Sequence, residues 1–227
     1  MIVVPVLGRP GNAAPLVESA LSHAGVQTEV LFVCSPGDYD QIAACKKTGQ
    51  RTIVIHRPPE RGDYARKINI GASATLAPWV FTGADDLRFT DGWDITAIAE
   101  AERSRAGVVG TIDMCNPKTN RAVHSTHSLI ASWYVREGTI DQPGAIYHEG
   151  YWHNFVDDEL IATARMRRQY APSRAIVQHL HPMRGTSPND DTYRRGQLYF
   201  ADDRALFQRR RALITKGRRV PPSRVRP

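Results

Sequence analysis

The first half of the chain alternates short runs rich in β-branched residues with amphipathic stretches of helical period. This alternation is typical of a parallel β-sheet whose strands are connected by crossover helices. The candidate strands are residues 2–7, 29–34, 52–56, 79–82 and 107–112. The candidate helices between them are residues 12–24, 39–47, 63–76 and 92–105. The sequence therefore predicts an α/β fold with four βα units before residue 107.

The second half is less regular, with glycines, histidines and aromatic residues mixed through residues 107–156. A helix is predicted over 157–169, a strand over 174–181 and a charged closing helix over 193–213. The 227 residues suit one domain, which we place at 1–208, with a first half at 1–106 and a second at 107–208. No apolar run has the length of a membrane span, and no basic leader precedes the first strand, so we expect a cytoplasmic protein.

The net charge of +7 comes from one end of the chain. Residues 209–227 hold eight basic residues and no acidic one, which leaves 22 basic and 23 acidic residues in the remainder. Such a tail suits contact with a nucleic acid, and equally a flexible end that aids solubility. The three cysteines form no C-x-x-C pair, which argues against a disulfide scaffold or a thiolate zinc site.

Two adjacent carboxylates, Asp85 and Asp86, follow the strand predicted at 79–82. The carboxyl ends of strands in an open α/β sheet are where ligands bind, and carboxylate oxygens suit hard divalent cations. This placement indicates a site for a metal and a diphosphate. The alternative is that the two residues only cap the turn before the next helix.

Other suitable groups are predicted at the same edge. Pro5 and Arg9 flank the end of the first strand, where they could form a wall for a base or ribose. Arg66 and Lys67 begin a helix, where cations and free N–H groups favour phosphate, although a solvated basic face is the plainer interpretation. Asn69 and Gly71 lie inside that helix, where both residue types are unfavourable for a purely structural segment.

Four motifs in this order give the chain a family resemblance. They are Lys67-x-Asn69-x-Gly71, Gly83-Ala84-Asp85-Asp86, Val156-Asp157-Asp158-Glu159-Leu160 and Gln178-His179-Leu180-His181-Pro182. Together with the βα order, they resemble family 2 glycosyltransferases with the GT-A fold, over about residues 1 to 185. The resemblance implies a mixed, mostly parallel sheet flanked by helices, and donor contacts that include Ala84, Asp85 and Asp86.

The resemblance also implies roles for individual residues. The last Asp of the family's D-x-D motif corresponds to Asp85, which would hold a divalent metal, Mn²⁺ or Mg²⁺, on the diphosphate of a nucleotide-sugar, with a UDP-sugar as the expected donor. Asp157 corresponds to the base that deprotonates the acceptor hydroxyl in a direct, inverting displacement. A downstream histidine completes the metal shell in some members, and His181 is preferred here over His179.

The sequence departs from the family pattern at three places. Gly83 replaces the first Asp of D-x-D. The acidic residue expected after the second strand is absent, which leaves Asp38 as a substitute for reading the nucleotide. Val156 replaces the Glu of the acceptor motif, so Asp157, Asp158 and Glu159 all remain candidates for the base, and Asp157 is preferred from motif alignment alone.

A dense run of aromatic residues and histidines, at 144–154, comes just before this motif. Rings stack on the apolar faces of sugars while their polar tips orient hydroxyls, so Tyr151, Trp152 and His153 are predicted to contact the acceptor, together with Asp158. The alternative is a loop that the aromatic residues simply pack onto the core.

The sequence thus favours a glycosyltransferase that acts on a hydroxyl of DNA, protein or a glycan. The small, basic chain resembles phage-encoded glycosyltransferases that modify DNA bases or virion proteins, which would place it in the host cytoplasm. Two alternatives stay open. One is a nucleotidyltransferase of similar topology, and the other is a non-catalytic protein that binds nucleic acid through its arginine-rich tail.

Overall fold

A computed structural model describes residues 1–217. Its strands are β1 (Ile2–Val6), β2 (Val30–Cys34), β3 (Arg51–Val54), β4 (Trp79–Thr82), β5 (Leu87–Phe89), β6 (Val108–Ile112), β7 (Ser128–Ala131) and β8 (Tyr170–His179). Its α-helices are α1 (Ala13–Ser22), α2 (Tyr39–Lys47), α3 (Asp63–Ser73), α4 (Trp93–Ser104), α5 (Pro117–Asn120), α6 (Ser132–Glu137), α7 (Val156–Met166), α8 (Asp191–Leu198) and α9 (Phe200–Gly217). Short 3₁₀ turns lie at Pro10–Asn12 and Pro182–Arg184.

The strands form one mixed sheet in the order β3-β2-β1-β4-β7-β6-β8-β5. The first four in that order run parallel, as the βα repeats predict. β7 lies antiparallel between β4 and β6, and β5 lies antiparallel on β8 at the edge. The sheet brings the ends of β1 and β4 together because these two strands are direct neighbours.

The sheet has an apolar layer on each face, and β1 shows how the sequence divides between them. Ile2, Val4 and Val6 face the layer that contains α1, α2 and α4, whereas Val3 faces the layer that contains α3 and α7. Successive side chains of a strand point to opposite faces, so a continuous apolar run is what a strand covered on both sides requires.

α3 approaches the sheet closely at Gly71. A Cβ atom at this position would lie 2.2 Å from Cγ1 of Val3, so any larger residue would force the helix away from β1. The cost of glycine inside a helix is therefore explained by packing. Gly71 was predicted to bind the donor, and the structure instead assigns it to the contact between helix and sheet.

Several elements differ from the sequence-based expectation. β5 and β7 were not predicted, because three or four residues carry too little periodicity to be recognised. The predicted closing helix at 193–213 is two helices, α8 and α9, separated at Tyr199. The predicted strand at 174–181 begins earlier and ends at His179.

α9 continues past residue 208, which was the predicted end of the domain and the predicted start of a flexible basic tail. Residues 209–217 are helical, and Arg210 is buried against the body of the protein. The remaining part of the predicted tail, residues 218–227, lies outside the described residues. Among the helices of residues 1–217, none is long and apolar enough to cross a membrane.

Candidate active site

A cavity of about 350 Å³ opens at the sheet edge where β1 and β4 end. Its floor comes from Pro5 to Arg9 and from Ala84 to Asp86, and β8 supplies His179. The start of α7 and the loop before it form a second wall, and α8 covers the opening. Residues predicted for the donor and for the acceptor therefore share one cavity.

Asp85 and Asp86 are both buried in this cavity, and an arginine occupies the space between them. Arg9 Nη1 lies 3.1 Å from Asp85 Oδ1 and 2.9 Å from Asp86 Oδ2. The Nε atom of Arg9 lies 2.6 Å from Asp190 Oδ2, at the start of α8. One guanidinium thus joins three carboxylates from two separate segments, the end of β4 and the start of α8.

The two adjacent carboxylates differ in their charge state. Burial and the nearby Asp86 carboxylate raise the pKa of Asp85 to about 7. Burial also opposes ionisation of Asp86, but His179 and Tyr193 outweigh it and hold the pKa of Asp86 below its ordinary value. Within residues 1–217, Asp86 Oδ1 is buried and has no hydrogen-bond partner. The pair therefore holds more negative charge than Arg9 alone compensates.

Both predicted histidines line the cavity. His179 Nε2 lies 3.4 Å from Asp86 Oδ1. Burial alone would lower the pKa of His179, but the Asp86 carboxylate outweighs burial and raises this pKa. His181 Nδ1 accepts a hydrogen bond of 3.2 Å from the N–H of Met183. In this arrangement His179, which was the second choice, has its ring nitrogen close to the carboxylate pair.

Tyr193 of α8 closes the cavity over these groups. Its hydroxyl donates to Asp86 Oδ2 at 2.6 Å, and its ring lies 4.6 Å from the guanidinium carbon of Arg9.

His127, just before β7, also lines the cavity, and its Nδ1 lies 2.8 Å from the carbonyl oxygen of Thr82. Burial and the nearby His179 lower the pKa of His127 to about 4, so its ring is neutral.

The basic residues of α3 have separate environments. Lys67 lines the cavity, and its Nζ donates to Val6 O at 2.8 Å and pairs with Asp63 at 2.7 Å. Arg66 points away from the cavity, toward Glu149 at 3.3 Å. Arg66, which was predicted to contact a phosphate, lies outside the cavity lining, because residues one apart on a helix point about 100° away from each other.

Two further predicted donor contacts lie outside the cavity lining. Asn69 uses its amide to bind both the N–H and the carbonyl of Tyr147, at 3.0 and 2.9 Å, and so fixes the loop after α6. Asp38 accepts a hydrogen bond of 2.8 Å from the N–H of Gly8 and thereby supports the turn that carries Arg9. The hydrogen bonds of Asn69 and Asp38 described here therefore join them to other parts of the protein.

The three acidic residues at the start of α7 point to different places. Asp157 lines the cavity, and its Oδ2 lies 2.9 Å from Nε2 of His124. Asp158 also lines the cavity, and burial and Asp157 raise its pKa. Glu159 is 3% exposed and lies under the helix, where it pairs with Arg210 at 2.7 Å.

The loop before α7 is held by a single carboxylate. Asp203 of α9 accepts hydrogen bonds from the N–H groups of Trp152, His153 and Asn154, at 2.7 to 2.9 Å. Trp152 and His153 line the cavity as predicted. The Trp152 ring stacks on Tyr199 with centroids 3.9 Å apart, which forms an aromatic surface at the opening.

Tyr151 lies outside the lining and is 1% exposed, because its hydroxyl donates to Glu159 Oε2 at 2.7 Å beneath α7. Tyr151, which was predicted to contact the acceptor, thus makes a structural contact beneath the helix. Phe155 precedes α7 with φ +66°, a left-handed conformation that side chains seldom adopt. Its ring stacks on Phe207 at 5.6 Å, which stabilises this turn and with it the position of Asp157.

The sequence from residue 1 to residue 157 matches the model of the family described as glycosyl transferase family 2. The chain belongs to this family. The matched segment ends at Asp157, so it includes the carboxylate pair and the candidate base. No curated protein matches the sequence.

Solved structures show that this family 2 chain has the predicted GT-A fold. Glucosyl-3-phosphoglycerate synthase from Mycobacterium tuberculosis, in complex with Mn²⁺, UDP-glucose and phosphoglyceric acid, is similar with a TM-score of 0.60 at 13% identity. The similarity covers 98% of this chain and 80% of that one. A complex of the same synthase with Mg²⁺ and UDP has a TM-score of 0.59 at 12% identity, with the same coverage.

A further structure, of a mycobacterial protein, has a TM-score of 0.59 at 12% identity and covers 79% of this chain and 66% of that one. At such identities the likeness shows a shared fold, and it confirms the GT-A architecture expected from the motifs. In this family 2 domain, the segment from residue 190 to residue 203 contributes four residues, in or next to the site, that the motifs did not indicate. They are Asp190, Tyr193, Tyr199 and Asp203.

The buried pair of Glu159 and Arg210 predicts that α9 is part of the folded domain. Replacing Arg210 by methionine should lower the free energy of unfolding by about 3–5 kcal/mol, because it leaves a buried carboxylate without its partner. Denaturant unfolding measures this change. Arg209→Met is the matched control, because Arg209 is exposed on the same helix and its loss should change stability by less than about 0.5 kcal/mol. Equal stability of the two variants would contradict the assignment.

Proposed function

We propose that this domain transfers a sugar from a nucleoside diphosphate to an acceptor hydroxyl, with inversion at the anomeric carbon and with Asp157 as the base. The observation that supports the proposal is one cavity whose lining includes both the buried pair of Asp85 and Asp86 and Asp157. A reaction of this kind needs a site for a diphosphate and a proton acceptor on the two sides of one sugar.

The donor side fits a divalent cation. Asp85 and Asp86 offer carboxylate oxygens, His179 and His181 offer imidazole nitrogens, and Asp86 Oδ1 is a buried acceptor whose hydrogen-bonding capacity is unused within residues 1–217. Such a set suits Mn²⁺ or Mg²⁺. The choice between the two histidines remains part of the proposal, with His181 favoured by the motif and His179 by proximity to Asp86.

A bound cation would neutralise charge on the departing diphosphate. The protein contributes Arg9 to the same task, since its guanidinium already lies between the carboxylates and is suited to bind phosphate oxygens. Asp85 and Asp86 would hold the cation, and Arg9, which now pairs with both, would then be free to bind the diphosphate. Pro5 and Ala84 line the same part of the cavity.

The acceptor side consists of Trp152, His153 and Asp158 around Asp157. The stacked rings of Trp152 and Tyr199 present an apolar surface for the face of a sugar or a base. Asp157 takes the proton from the acceptor hydroxyl, the oxygen bonds to the anomeric carbon, and the bond to the diphosphate breaks. A hydroxyl on a glycan, on protein or on modified DNA, including the phage-type acceptors, fits this description.

The test is a panel of UDP-, GDP-, TDP- and ADP-sugars, each with and without Mn²⁺. A bound donor should raise the unfolding temperature, because ligand at 100 times its Kd adds about 2.7 kcal/mol of stability. We expect one nucleotide to stabilise the protein in a metal-dependent way and to be released as the diphosphate when an acceptor is present. The anomeric configuration of the product is read by NMR.

Two results would contradict the proposal. Release of pyrophosphate from a nucleoside triphosphate would identify the nucleotidyltransferase alternative, and retention of configuration would remove Asp157 as the base of a direct displacement. Two results together would favour the nucleic-acid-binding alternative. No donor would stabilise the full chain, and a chain that ends at residue 217 would lose the nucleic-acid binding that the full chain shows.

A further inference from the structure

We infer that His124 is the positioning residue for the base, and that it selects Asp157 among the three acidic residues of α7. This inference rests on the proposed function. His124 lies in the loop between α5 and β7, far from the family motifs in sequence, and is 6% exposed. Its Nε2 lies 2.9 Å from Asp157 Oδ2, and Asp157 lines the cavity.

The protein holds His124 in place from both sides. Arg165 of α7 donates to the carbonyl of Val123 at 2.8 Å, so the helix that carries Asp157 also binds the residue before His124. On the other side, Ser125 Oγ accepts from the N–H of Thr111 in β6 at 3.0 Å. The imidazole is therefore fixed relative to both the sheet and α7.

Neither neighbour of Asp157 combines such a partner with a place in the cavity lining. Asp158 makes no ion pair within the described residues and keeps a raised pKa, so it is a poor candidate for a carboxylate that must be ionised. Glu159 is held beneath the helix by Arg210. A general base must be an oriented carboxylate that reaches the substrate, and Asp157 is the one of the three that both has a cationic partner and lines the cavity.

The charge states agree with this geometry. Burial opposes ionisation of both groups, but the contact holds the pKa of Asp157 below its ordinary value and that of His124 above its own. The titratable groups that face Asp157 are His124, His127, His153, Tyr64, Tyr147 and Asp158. Lys118 faces His124 and Asp158. Among these described groups, His124 is in direct contact with Asp157 and can carry the opposite charge.

The test compares His124→Gln and His124→Ala with the wild type, using kcat and KM as functions of pH. Both variants lose the imidazolium, so the pKa of Asp157 rises and the acid limb of kcat/KM should move to higher pH by about 1–3 units. Glutamine can still donate to Asp157 and should keep most of kcat at alkaline pH. Alanine should lower kcat about tenfold to a hundredfold, as a misplaced catalytic group does, with donor affinity unchanged in both.

His23→Gln is the matched control, since His23 is partly exposed at the C-terminal end of α1, outside the cavity lining, and should leave the profile unchanged. A pH profile of His124→Gln that superimposes on the wild type would overturn the inference. So would loss of a bound Mn²⁺ ion in that variant, because His124, Asp157 and Asp158 lie close enough to form a metal site instead.

A second measurement separates this inference from the proposed function. NMR titration of His124 should give a raised pKa in the wild type and an ordinary or lowered one in Asp157→Asn, whether or not a donor is known. A His124 pKa that does not respond to Asp157→Asn would overturn the inference alone. A wild-type protein that transfers sugar from no donor would overturn the proposed function, even if the two residues prove to be paired.

Discussion

Replacing Asp85 by asparagine should abolish metal-dependent binding of a nucleoside diphosphate. Asp85 is 4% exposed and contributes one of two adjacent carboxylates at the end of β4. Asparagine keeps the shape of the side chain but removes its charge, and a hard cation held by few protein ligands binds weakly without its main carboxylate. Calorimetry should show at least about a hundredfold loss of affinity in Mn²⁺, the upper range for loss of a supporting metal contact.

The measurement needs a control for folding and one for charge. Burial and Asp86 raise the pKa of Asp85, so its charged form is unfavourable in the metal-free protein, and Arg9 keeps Asp86 and Asp190 as partners. Without metal, Asp85→Asn should therefore unfold at a temperature no lower than that of the wild type. Asp91→Asn removes a carboxylate that is 94% exposed and should bind nucleotide normally. If Asp85→Asn bound the diphosphate as well with Mn²⁺ as the wild type does, Asp85 would not be the metal ligand.

The donor side shows which parts of a site can be predicted from sequence. Asp85 and Asp86 were recognisable because they follow directly after a buried strand, and the edge of a parallel sheet collects such residues whatever the details of packing. Arg9 was assigned to the same edge for the same reason. Its pairing with Asp190 was not predictable, because 181 residues separate the two and no short pattern specifies contacts across that distance.

Residues inside the helices show what could not be predicted from the sequence. Asn69 and Gly71 were noticed correctly as unusual inside a helix, but the reason is packing, with Gly71 against Val3 and Asn69 on the backbone of Tyr147. A sequence shows that such a residue is costly in its helix, and only the tertiary structure shows what compensates for it. Arg210 was likewise counted in a charged tail, because the buried Glu159 that it pairs with lies on a different helix.

The largest expected effect on turnover is that of Asp157→Asn. Asparagine keeps the size of the side chain and can still accept a hydrogen bond from His124, but it cannot take a proton from the acceptor. Transfer should therefore fall by about 10²–10⁴, the loss typical of a missing general base, while donor affinity stays close to that of the wild type. Single-turnover kinetics with a saturating donor measures the chemical step apart from binding.

Two variants on the same helix separate this role from a structural one. Asp157 also lies in the first turn of α7, where a negative charge stabilises the helix by about 0.3–1 kcal/mol. Asp157→Asn loses this charge and the ionic part of the contact with His124 but keeps an acceptor for its hydrogen bond, so stability should fall by about 1–3 kcal/mol. Asp158→Asn removes an equivalent charge from the same turn and should keep most of the transfer activity. Near-normal turnover in Asp157→Asn with loss of turnover in Asp158→Asn would move the base to Asp158. Glu159 pairs with Arg210 and accepts a hydrogen bond from Tyr151, so Glu159→Gln should lower stability more than it lowers turnover. Asp157 is then the carboxylate whose loss lowers turnover far more than it lowers donor affinity or stability.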